Sequence, residues 1–356
     1  MDPIKIDFYD QISSVIFLDK NLSKIDIIEG YNKAFCVIDS NAEWYFDDSK
    51  LSNYQLSKFI FENPDESKKS QQTVQNIHDF LFQNNADRKS LLIAVGGGIT
   101  LDVAGYAASI YKRGIDWIAI PTTLLAQVDA SVGGKTAINH PMYGKNVIGS
   151  FHPPIKVFID STCSLTWSDE LRLEGIAEMY KIFKIFDHKA ATELLKKPNE
   201  KLTKRSIELK AKVVEIDPYE RNLRAILNYG HTFGHAIETL VNDENDYRKL
   251  PHGIAVSIGI RLENLVALEL GLMKEAVMLE IERDLDSFDF PRPTTLPPFD
   301  DIITLMLQDK KTKDDIIQMC IIDGVNELLF EPKDPRIKVD ISTLKIAYEH
   351  YLQVNK

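Results

Sequence analysis

The sequence has few cysteines, no excess of basic residues and no long uncharged apolar run, and each shortage excludes a class of protein. Its 356 residues contain three widely spaced cysteines without a CxxC pair, so a disulfide framework is excluded and a reducing cytoplasm is expected. Lys and Arg number 42 against 53 Asp and Glu, a formal net charge of −11, which argues against a nucleic-acid partner. The most apolar segment, residues 254–273, contains charged side chains, so it predicts a buried amphipathic helix and no membrane span. The first residues, MDPIKIDFYDQ, lack a signal-peptide pattern, so no export is expected.

The length and the pattern of apolar residues predict two domains of different class. Before residue 165, buried parallel strands are predicted at 34–40, 90–95, 116–120 and 156–160, with a helix at 71–82, which indicates an open α/β sheet. Beyond that point the apolar residues recur every three or four positions, which is typical of helices. Polar stretches at 196–205, 242–249 and 291–298 predict loops. We therefore expect an α/β domain over residues 1–165 and a mostly helical domain over residues 166–356.

Two glycine-rich segments are candidate phosphate sites. Gly96, Gly97 and Gly98 follow a predicted strand and precede a helical pattern containing Asp102, so backbone N–H groups there could approach a phosphate. The spacing is not GxGxxG, and a purely structural turn would give the same pattern. The second segment, VDASVGGKTAIN, contains Asp129 and Lys135 but lacks the first glycine of a Walker P-loop, which excludes an ATPase interpretation.

The histidines form a sharper pattern. His231 and His235 are four residues apart, so on a helix both imidazoles project from one face. Thr232 stands where an HExxH metalloprotease has its glutamate, so that class is excluded. With His252 and Glu178, two imidazoles and one carboxylate could form a catalytic zinc site. Hydrogen-bonded structural histidines are the alternative that the residues alone leave open.

Basic residues gather in and beside these segments, although the chain is acidic overall. They form either a solvated surface or a pocket that holds a multiply anionic small molecule through Arg and Lys contacts. The residues in question are Arg113, Lys135, Lys145, Lys181, Lys210 and Arg224. From the residues alone, we expect a metal- and nucleotide-dependent enzyme acting on an anionic metabolite.

Five segments, taken in order, resemble the 3-dehydroquinate synthase family: GGGITLDVAGYAASIYKRG, PTTLLAQVDASVGGKTAINHPMYGKNVIGSF, EGIAEMYK, ERNLRAILNYGHTFGHAIE and PHG. The resemblance implies a Rossmann-like NAD-binding domain, a helical domain, one divalent metal (Zn²⁺ or Co²⁺) and a homodimer. It implies a reaction of the shikimate pathway, in which 3-deoxy-D-arabino-heptulosonate 7-phosphate loses phosphate and closes to 3-dehydroquinate. The hydride taken by NAD is returned, so no net redox change occurs.

The resemblance also assigns site residues. It implies that NAD is bound by Asp39, Glu66, Lys69, Gly96, Gly97, Gly98, Asp102, Thr122, Thr123, Asp129, Lys135, Lys145 and Thr166. It implies that the metal ligands are Glu178, His231 and His252, with His235 as an acid–base group instead of a ligand. It implies substrate contacts from Lys135, Asn146, Lys181, Lys210, Glu220, Arg224 and Asn228. Arg113 is expected to reach the neighbouring subunit's phosphate site, and Lys310 or Lys311, of which Lys311 is our choice, to close the pocket.

The chain departs from the family pattern at four places. Ile254 replaces the glutamate of HGE, which alters the surroundings of His252. NHPMYGKN has one extra residue, so a bulged loop is expected, TLP is replaced by Thr166-Trp167-Ser168, and residues 242–249 resemble an insertion. A cyclase acting on sedoheptulose 7-phosphate or an amino analogue is therefore an alternative. A dehydrogenase of the glycerol dehydrogenase type, with net NADH formation, and a non-enzymatic binding role are less favoured.

Overall fold

The computed structural model describes residues 2–8, 11–18, 27–46, 51, 56–243, 250–309 and 316–355. The chain divides into two compact units. The first, called here the sheet unit, consists of residues 1–168 and 210–215. The second, called the helical unit, consists of residues 169–209 and 216–356.

Seven strands form the main sheet of the sheet unit. They are β1 (Ile4–Asp7), β2 (Ile12–Phe17), β3 (Lys33–Asp39), β4 (Ser57–Phe61), β5 (Ser90–Gly96), β6 (Trp117–Pro121) and β9 (Lys156–Ile159). Their order in the sheet is β1-β2-β9-β6-β5-β3-β4. β1 and β2 pair antiparallel, and the other neighbours pair parallel. The four predicted strands are confirmed as β3, β5, β6 and β9, whereas the sequence pattern did not predict β1, β2 and β4.

The central strands of this sheet are buried on both faces. Val37, Ile93, Ile118 and Phe158 are all fully buried. A parallel sheet that is covered on both sides needs continuous apolar runs, so these strands show no alternation of polar and apolar residues. The carboxyl ends of parallel strands meet at one edge, which is where ligands bind in such sheets.

Helices and a hairpin complete the sheet unit. The helices are α1 (Glu43–Tyr45), α2 (Gln71–Gln83) and α3 (Gly98–Ile110), and the hairpin strands are β7 (Lys135–His140) and β8 (Gly144–Phe151). The helix predicted at 71–82 is confirmed as α2. The β7–β8 register shifts between Ile138 and His140, beside the extra residue of NHPMYGKN, as the expected bulge requires. Gly105 lets β7 approach α3, because a Cβ at Gly105 would lie 2.5 Å from Cγ2 of Thr136.

The helical unit contains eight helices and one hairpin among its described residues. The helices are α4 (Asp169–Phe186), α5 (His188–Lys196), α6 (Glu200–Ile216, whose last turns belong to the sheet unit), α7 (His231–Asp243), α8 (His252–Glu269), α9 (Glu275–Ser287), α10 (Phe299–Asp309) and α11 (Ile341–Val354). The hairpin strands are β10 (Ile316–Cys320) and β11 (Arg336–Asp340). In the described part of the chain, no helix combines the length and apolar character that crossing a membrane requires.

Glycines let the backbone of α8 lie in direct contact with the backbones of neighbouring elements. A Cβ at Gly259 would lie 1.8 Å from the carbonyl oxygen of Gly230, which precedes α7. A Cβ at Gly253 would lie 2.4 Å from Cα of Glu174 on α4. These contacts fix α4, α7 and α8 against one another, and these three helices carry the predicted metal ligands.

The predicted loops have three different outcomes. Residues 291–298 lie outside the helices, as expected. The loop predicted at 196–205 is too long, because α5 ends at Lys196 and α6 begins at Glu200, which leaves only residues 197–199 outside the helices. Most of the predicted loop at 242–249 lies outside the described residues.

Candidate functional site

The first candidate site element is the turn that joins β5 to α3. Gly97 is the N-cap of α3 and provides no side-chain cap, so no side chain at that position competes with an anion for the first N–H groups of the helix. A Cβ at Gly96 would lie 2.8 Å from Cβ of Asp39 and of Thr100, which requires glycine there. Asp39 ends the neighbouring strand β3, and burial raises the pKa of its carboxyl, although hydrogen bonds from Asn41 and Gly97 oppose the shift. A carboxylate beside a glycine turn is how Rossmann-like domains hold a ribose.

A hydrogen-bonded cluster joins four more of the predicted residues. Lys69 is buried and donates from Nζ to Oδ2 of Asp102 at 2.7 Å and to Oδ1 of Asn146 at 2.5 Å. Burial raises the pKa of Asp102, and the charge of Lys69 opposes that rise. Asn139, which the sequence analysis did not single out, donates to Oε1 of Glu66 at 2.8 Å and accepts from the Asn146 N–H at 2.9 Å. The hairpin is therefore tied to the segment that carries Glu66 and Lys69.

Asp129 and Lys210 form a second pair in the sheet unit. Asp129 lies in a π-helical turn, Ala126–Ala130, a rare conformation that occurs often at functional sites. Lys210 donates from Nζ to Oδ1 of Asp129 at 2.5 Å and to its carbonyl oxygen at 2.7 Å. The structure thus brings together a predicted NAD residue and a predicted substrate residue.

The remaining predicted NAD residues are distributed around the same unit. Thr122 and Thr123 directly follow β6, and Thr122 is buried. Thr166 ends a 3-10 helix after β9. Lys135 begins β7 and Lys145 lies on β8. The two threonines after β6 are at the carboxyl edge of the sheet, and the two lysines are on the hairpin.

The second candidate site lies in the helical unit, where α4, α7 and α8 meet. His231, His235 and His252 each place one ring nitrogen within 4.8 Å of the others. Oε1 of Glu178 lies 3.5 Å from Nε2 of His231 and 3.8 Å from Nε2 of His252. Ligand atoms bound ~2.1 Å from a tetrahedral ion lie roughly 3.4 Å apart, so these separations fit a metal ion.

The hydrogen bonding of Glu178 is also consistent with a bound cation. Its Oε2 lies 2.5 Å from Nζ of Lys181, whereas its buried Oε1 has no hydrogen-bond partner among the described residues. An unpartnered buried carboxylate oxygen is costly, and a metal ion would satisfy it. Burial, together with the charge of Lys181 and the neighbouring imidazoles, holds the pKa of His231 well below 6.5. The neutral imidazole is the form that binds metals.

Three predicted substrate residues of the helical unit, Glu220, Arg224 and Asn228, lie on or just before a 3-10 helix, Leu223–Asn228. Asp217 accepts hydrogen bonds from three backbone N–H groups within residues 221–224. Burial alone would raise the pKa of Asp217, but these hydrogen bonds prevail and lower it. Oε1 of Glu220 accepts from Nδ2 of Asn228 at 2.7 Å, and Arg224 is buried.

Backbone strain coincides with three predicted substrate residues. Arg113, Asn146 and Glu220 have φ values of 74°, 57° and 56°, a region that Arg and Glu seldom adopt. Such strain concentrates at functional sites. Arg113 is exposed and has no ion pair among the described residues, which leaves its guanidinium open to a ligand.

Two findings remain, one on the predicted pocket-closing lysine and one on a glutamate beside His252. Lys310 and Lys311 lie outside the described residues, so the predicted pocket-closing lysine has no structural account. Glu238, whose Oε2 lies 3.0 Å from Nδ1 of His252, was not predicted from the sequence. Its position seven residues after His231 was the available signal, because that spacing places both side chains on one helix face.

Comparison with known proteins identifies the family. Residues 59–172 match the family model described as 3-dehydroquinate synthase N-terminal, and residues 175–312 match 3-dehydroquinate synthase C-terminal. A 3-dehydroquinate synthase of Campylobacter hominis is 42% identical over 295 residues, which cover 81% of this chain and 84% of that protein.

Two solved structures share the fold. A 2-deoxy-scyllo-inosose synthase complexed with carbaglucose-6-phosphate, NAD⁺ and Co²⁺ has a TM-score of 0.83 at 24% identity, and the match covers 98% of this chain and 99% of that one. A 2-epi-5-epi-valiolone synthase from Streptomyces hygroscopicus subsp. jinggangensis 5008, with NAD⁺ and Zn²⁺ bound, has a TM-score of 0.83 at 22% identity and 96% coverage of both chains. The two family models and the Campylobacter relative show that the chain belongs to the 3-dehydroquinate synthase family.

Proposed function

We propose that the chain is a 3-dehydroquinate synthase, which converts 3-deoxy-D-arabino-heptulosonate 7-phosphate to 3-dehydroquinate and phosphate. Within a chain of this family, the observation that carries the proposal is the buried, unpartnered Oε1 of Glu178 facing His231 and His252. Two imidazoles and one carboxylate are a ligand set of catalytic zinc sites. The reaction belongs to the shikimate pathway, which leads to chorismate and the aromatic amino acids.

The cofactors of the proposed reaction are NAD and one divalent metal, Zn²⁺ or Co²⁺. When bound, NAD supplies a reversible hydride acceptor and the metal supplies a Lewis acid for neighbouring hydroxyl and carbonyl oxygens. Asp39 and the turn 96–98 would hold the ribose and pyrophosphate of NAD. Glu178, His231 and His252 would hold the metal.

The chain's own residues orient and neutralise the substrate. Arg224 and Lys181 are buried cations, and each suits a carboxylate or phosphate oxygen of an anionic sugar. His235 is exposed beside the two other imidazoles, where it can hold or move a proton at a substrate hydroxyl. The Glu220–Asn228 hydrogen bond would orient the Asn228 amide for a substrate contact. Because the substrate's phosphate can take the elimination proton, the protein chiefly supplies orientation and charge stabilisation.

The test is release of phosphate from the heptulosonate phosphate in the presence of NAD⁺ and Zn²⁺ or Co²⁺, with the product identified by NMR. We expect phosphate and 3-dehydroquinate in equal amounts. Sedoheptulose 7-phosphate is the parallel substrate, because its turnover in place of the heptulosonate would establish the alternative cyclase. No phosphate release from either sugar, with all cofactors bound, would refute the proposal.

We also propose a homodimer in which Arg113 contributes to the partner's substrate site. The support is an exposed guanidinium on a backbone with φ of 74°, without an ion pair among the described residues. In a two-fold dimer, one edge residue can complete the neighbouring site. Re-annealed mixtures of Arg113→Ala and Lys181→Ala should regain activity, since each heterodimer holds one intact site. Heterodimers that form without regaining activity would refute the shared site.

A cytoplasmic location is part of the same proposal. Cys36, Cys163 and Cys320 are buried and form no disulfide among the described residues, which suits a reducing compartment. The partners are the anionic sugar phosphate and the second copy of the chain. Neither a nucleic acid nor a membrane is proposed as a partner.

A further inference from the structure

The two ring nitrogens of His252 face different carboxylates. Nε2 lies 3.8 Å from Oε1 of Glu178, and Nδ1 lies 3.0 Å from Oε2 of Glu238. An ionised carboxylate can only accept a hydrogen bond, so the Nδ1–H group of a neutral His252 donates a hydrogen bond to Glu238. The lone pair of Nε2 is then directed toward Glu178 and His231, where a metal would bind.

Glu238 comes from a different helix than the ring that it contacts. It lies on α7, two turns after His231, and its side chain is 15% exposed. One helix therefore carries a predicted ligand and the acceptor that orients another. On α8 itself, the residue two positions after His252 is Ile254, whose side chain offers no acceptor, so the contact is supplied by α7.

The backbone of His252 is held independently of Glu238. Pro251, the N-cap of α8, makes no side-chain hydrogen bond to the helix. The Gly253 N–H instead donates to Glu174 of α4, and the missing side chain of Gly253 permits that approach. Loss of the Glu238 contact would therefore remove the carboxylate that faces Nδ1 of His252 while α8 stays in place.

We infer that Glu238 is a positioning residue that fixes the tautomer and the ring orientation of His252 for metal binding. The inference rests on the proposed function, because it presupposes the site formed by Glu178, His231 and His252. Removing a carboxylate that orients a ligating imidazole typically lowers metal affinity by about 10–100-fold. A residue that only ties α7 to α8 would change the unfolding transition and leave metal affinity unaltered.

The experiment measures Zn²⁺ affinity of the full chain by competition with a chromophoric chelator. Glu238→Asp keeps the charge but withdraws the carboxylate by one methylene, and Glu238→Gln keeps an acceptor at the same distance without the charge. We expect at least a tenfold loss in Glu238→Asp and a smaller loss in Glu238→Gln. The control is Glu170→Ala, because Glu170 is exposed on α4 and its charge is felt at Glu174. We expect no loss in this control.

A second readout is the visible spectrum of the Co²⁺-loaded chains, which reports ligand geometry without turnover. We expect an altered spectrum in Glu238→Asp and the parent spectrum in Glu170→Ala, with unfolding of both metal-free variants at the parent temperature. Parent-like affinity and spectrum in Glu238→Asp would overturn the inference while leaving the metal site intact. An equal loss in Glu170→Ala would show that the effect is not specific to the Glu238 contact and would also overturn the inference. If the parent itself binds neither ion, the proposed metal site fails as well.

Discussion

Gly259→Ala is expected to weaken metal binding while leaving the free energy of unfolding nearly unchanged. The added Cβ would lie 1.8 Å from the Gly230 carbonyl oxygen and 2.8 Å from the Gly234 nitrogen. Both are backbone atoms, so no side-chain rotation can relieve the contact. Atoms rest at about 3.5 Å, so α8 must retreat from α7 by roughly 1.7 Å.

Gly259→Ala is expected to change the metal affinity strongly and the free energy of unfolding only slightly. Alanine is about 1 kcal/mol better than glycine inside a helix, and overpacking costs about 1–3 kcal/mol. The net loss in the free energy of unfolding is therefore about 0–2 kcal/mol. A metal site tolerates deviations of only about 0.2 Å in its bond lengths, so separating His252 from His231 should reduce Zn²⁺ affinity at least tenfold.

The assay pairs urea unfolding, followed by circular dichroism, with Zn²⁺ competition. The matched control is Gly271→Ala, just after α8, where φ is +69° and no atom lies within 4 Å of the new Cβ. Because alanine disfavours the left-handed conformation, this control should lower the free energy of unfolding by about 1–2 kcal/mol. Its metal affinity should be unchanged. If Gly259→Ala binds Zn²⁺ as tightly as the parent, the argument that the glycine contact sets the site geometry is refuted.

Three further outcomes are expected. His252→Ala should lose both bound metal and activity, and full metal content in this variant would show that the third ligand is another residue. Catalytic amounts of NAD⁺ should support many turnovers without NADH absorbance accumulating, whereas stoichiometric NADH would indicate a dehydrogenase. Asp217→Asn should be less stable than the parent at neutral pH by about 1–3 kcal/mol, since hydrogen bonds to a charged acceptor are lost. Because the folded pKa of Asp217 is lowered, its stabilisation is complete above the unfolded pKa and disappears as pH falls through the folded one. The gap in urea midpoints should therefore close in acid, and a gap independent of pH would contradict this account.

The sequence predicted the elements whose own residues determine them. The runs at 34–40 and 90–95 are apolar throughout, so burial on both faces followed from composition. β1 and β4 are short, partly exposed edge strands, and their pairing depends on the neighbouring strand. The segment 196–205 is polar because α6 exposes one face, and Asn199 accepts from the Leu202 N–H near its start. Polar composition alone does not separate such a helix from a loop.

In the candidate site, too, the sequence predicts which side chains share one helix face but does not predict contacts between different elements. The spacing of His231 and His235 predicts a shared face, and the structure brings their rings within 4.9 Å of each other, centroid to centroid. The contacts of Lys69 with Asp102 and of Glu238 with His252 join residues 33 and 14 positions apart. No local pattern specifies those pairs, because the packing of whole elements decides which side chains meet.

Three glutamates surround the start of α8, and their hydrogen bonds give each a different role. Glu174 accepts the Gly253 N–H, and Glu238 faces Nδ1 of His252. Glu178 pairs one oxygen with Lys181, and its other oxygen is the single buried carboxylate oxygen without a hydrogen-bond partner among the described residues. Each of the other two glutamates already has a donor that holds α8 or its first ring in place. A cation at this site would therefore take its carboxylate oxygen from Glu178, which is why we assign that residue, and neither Glu174 nor Glu238, to the metal.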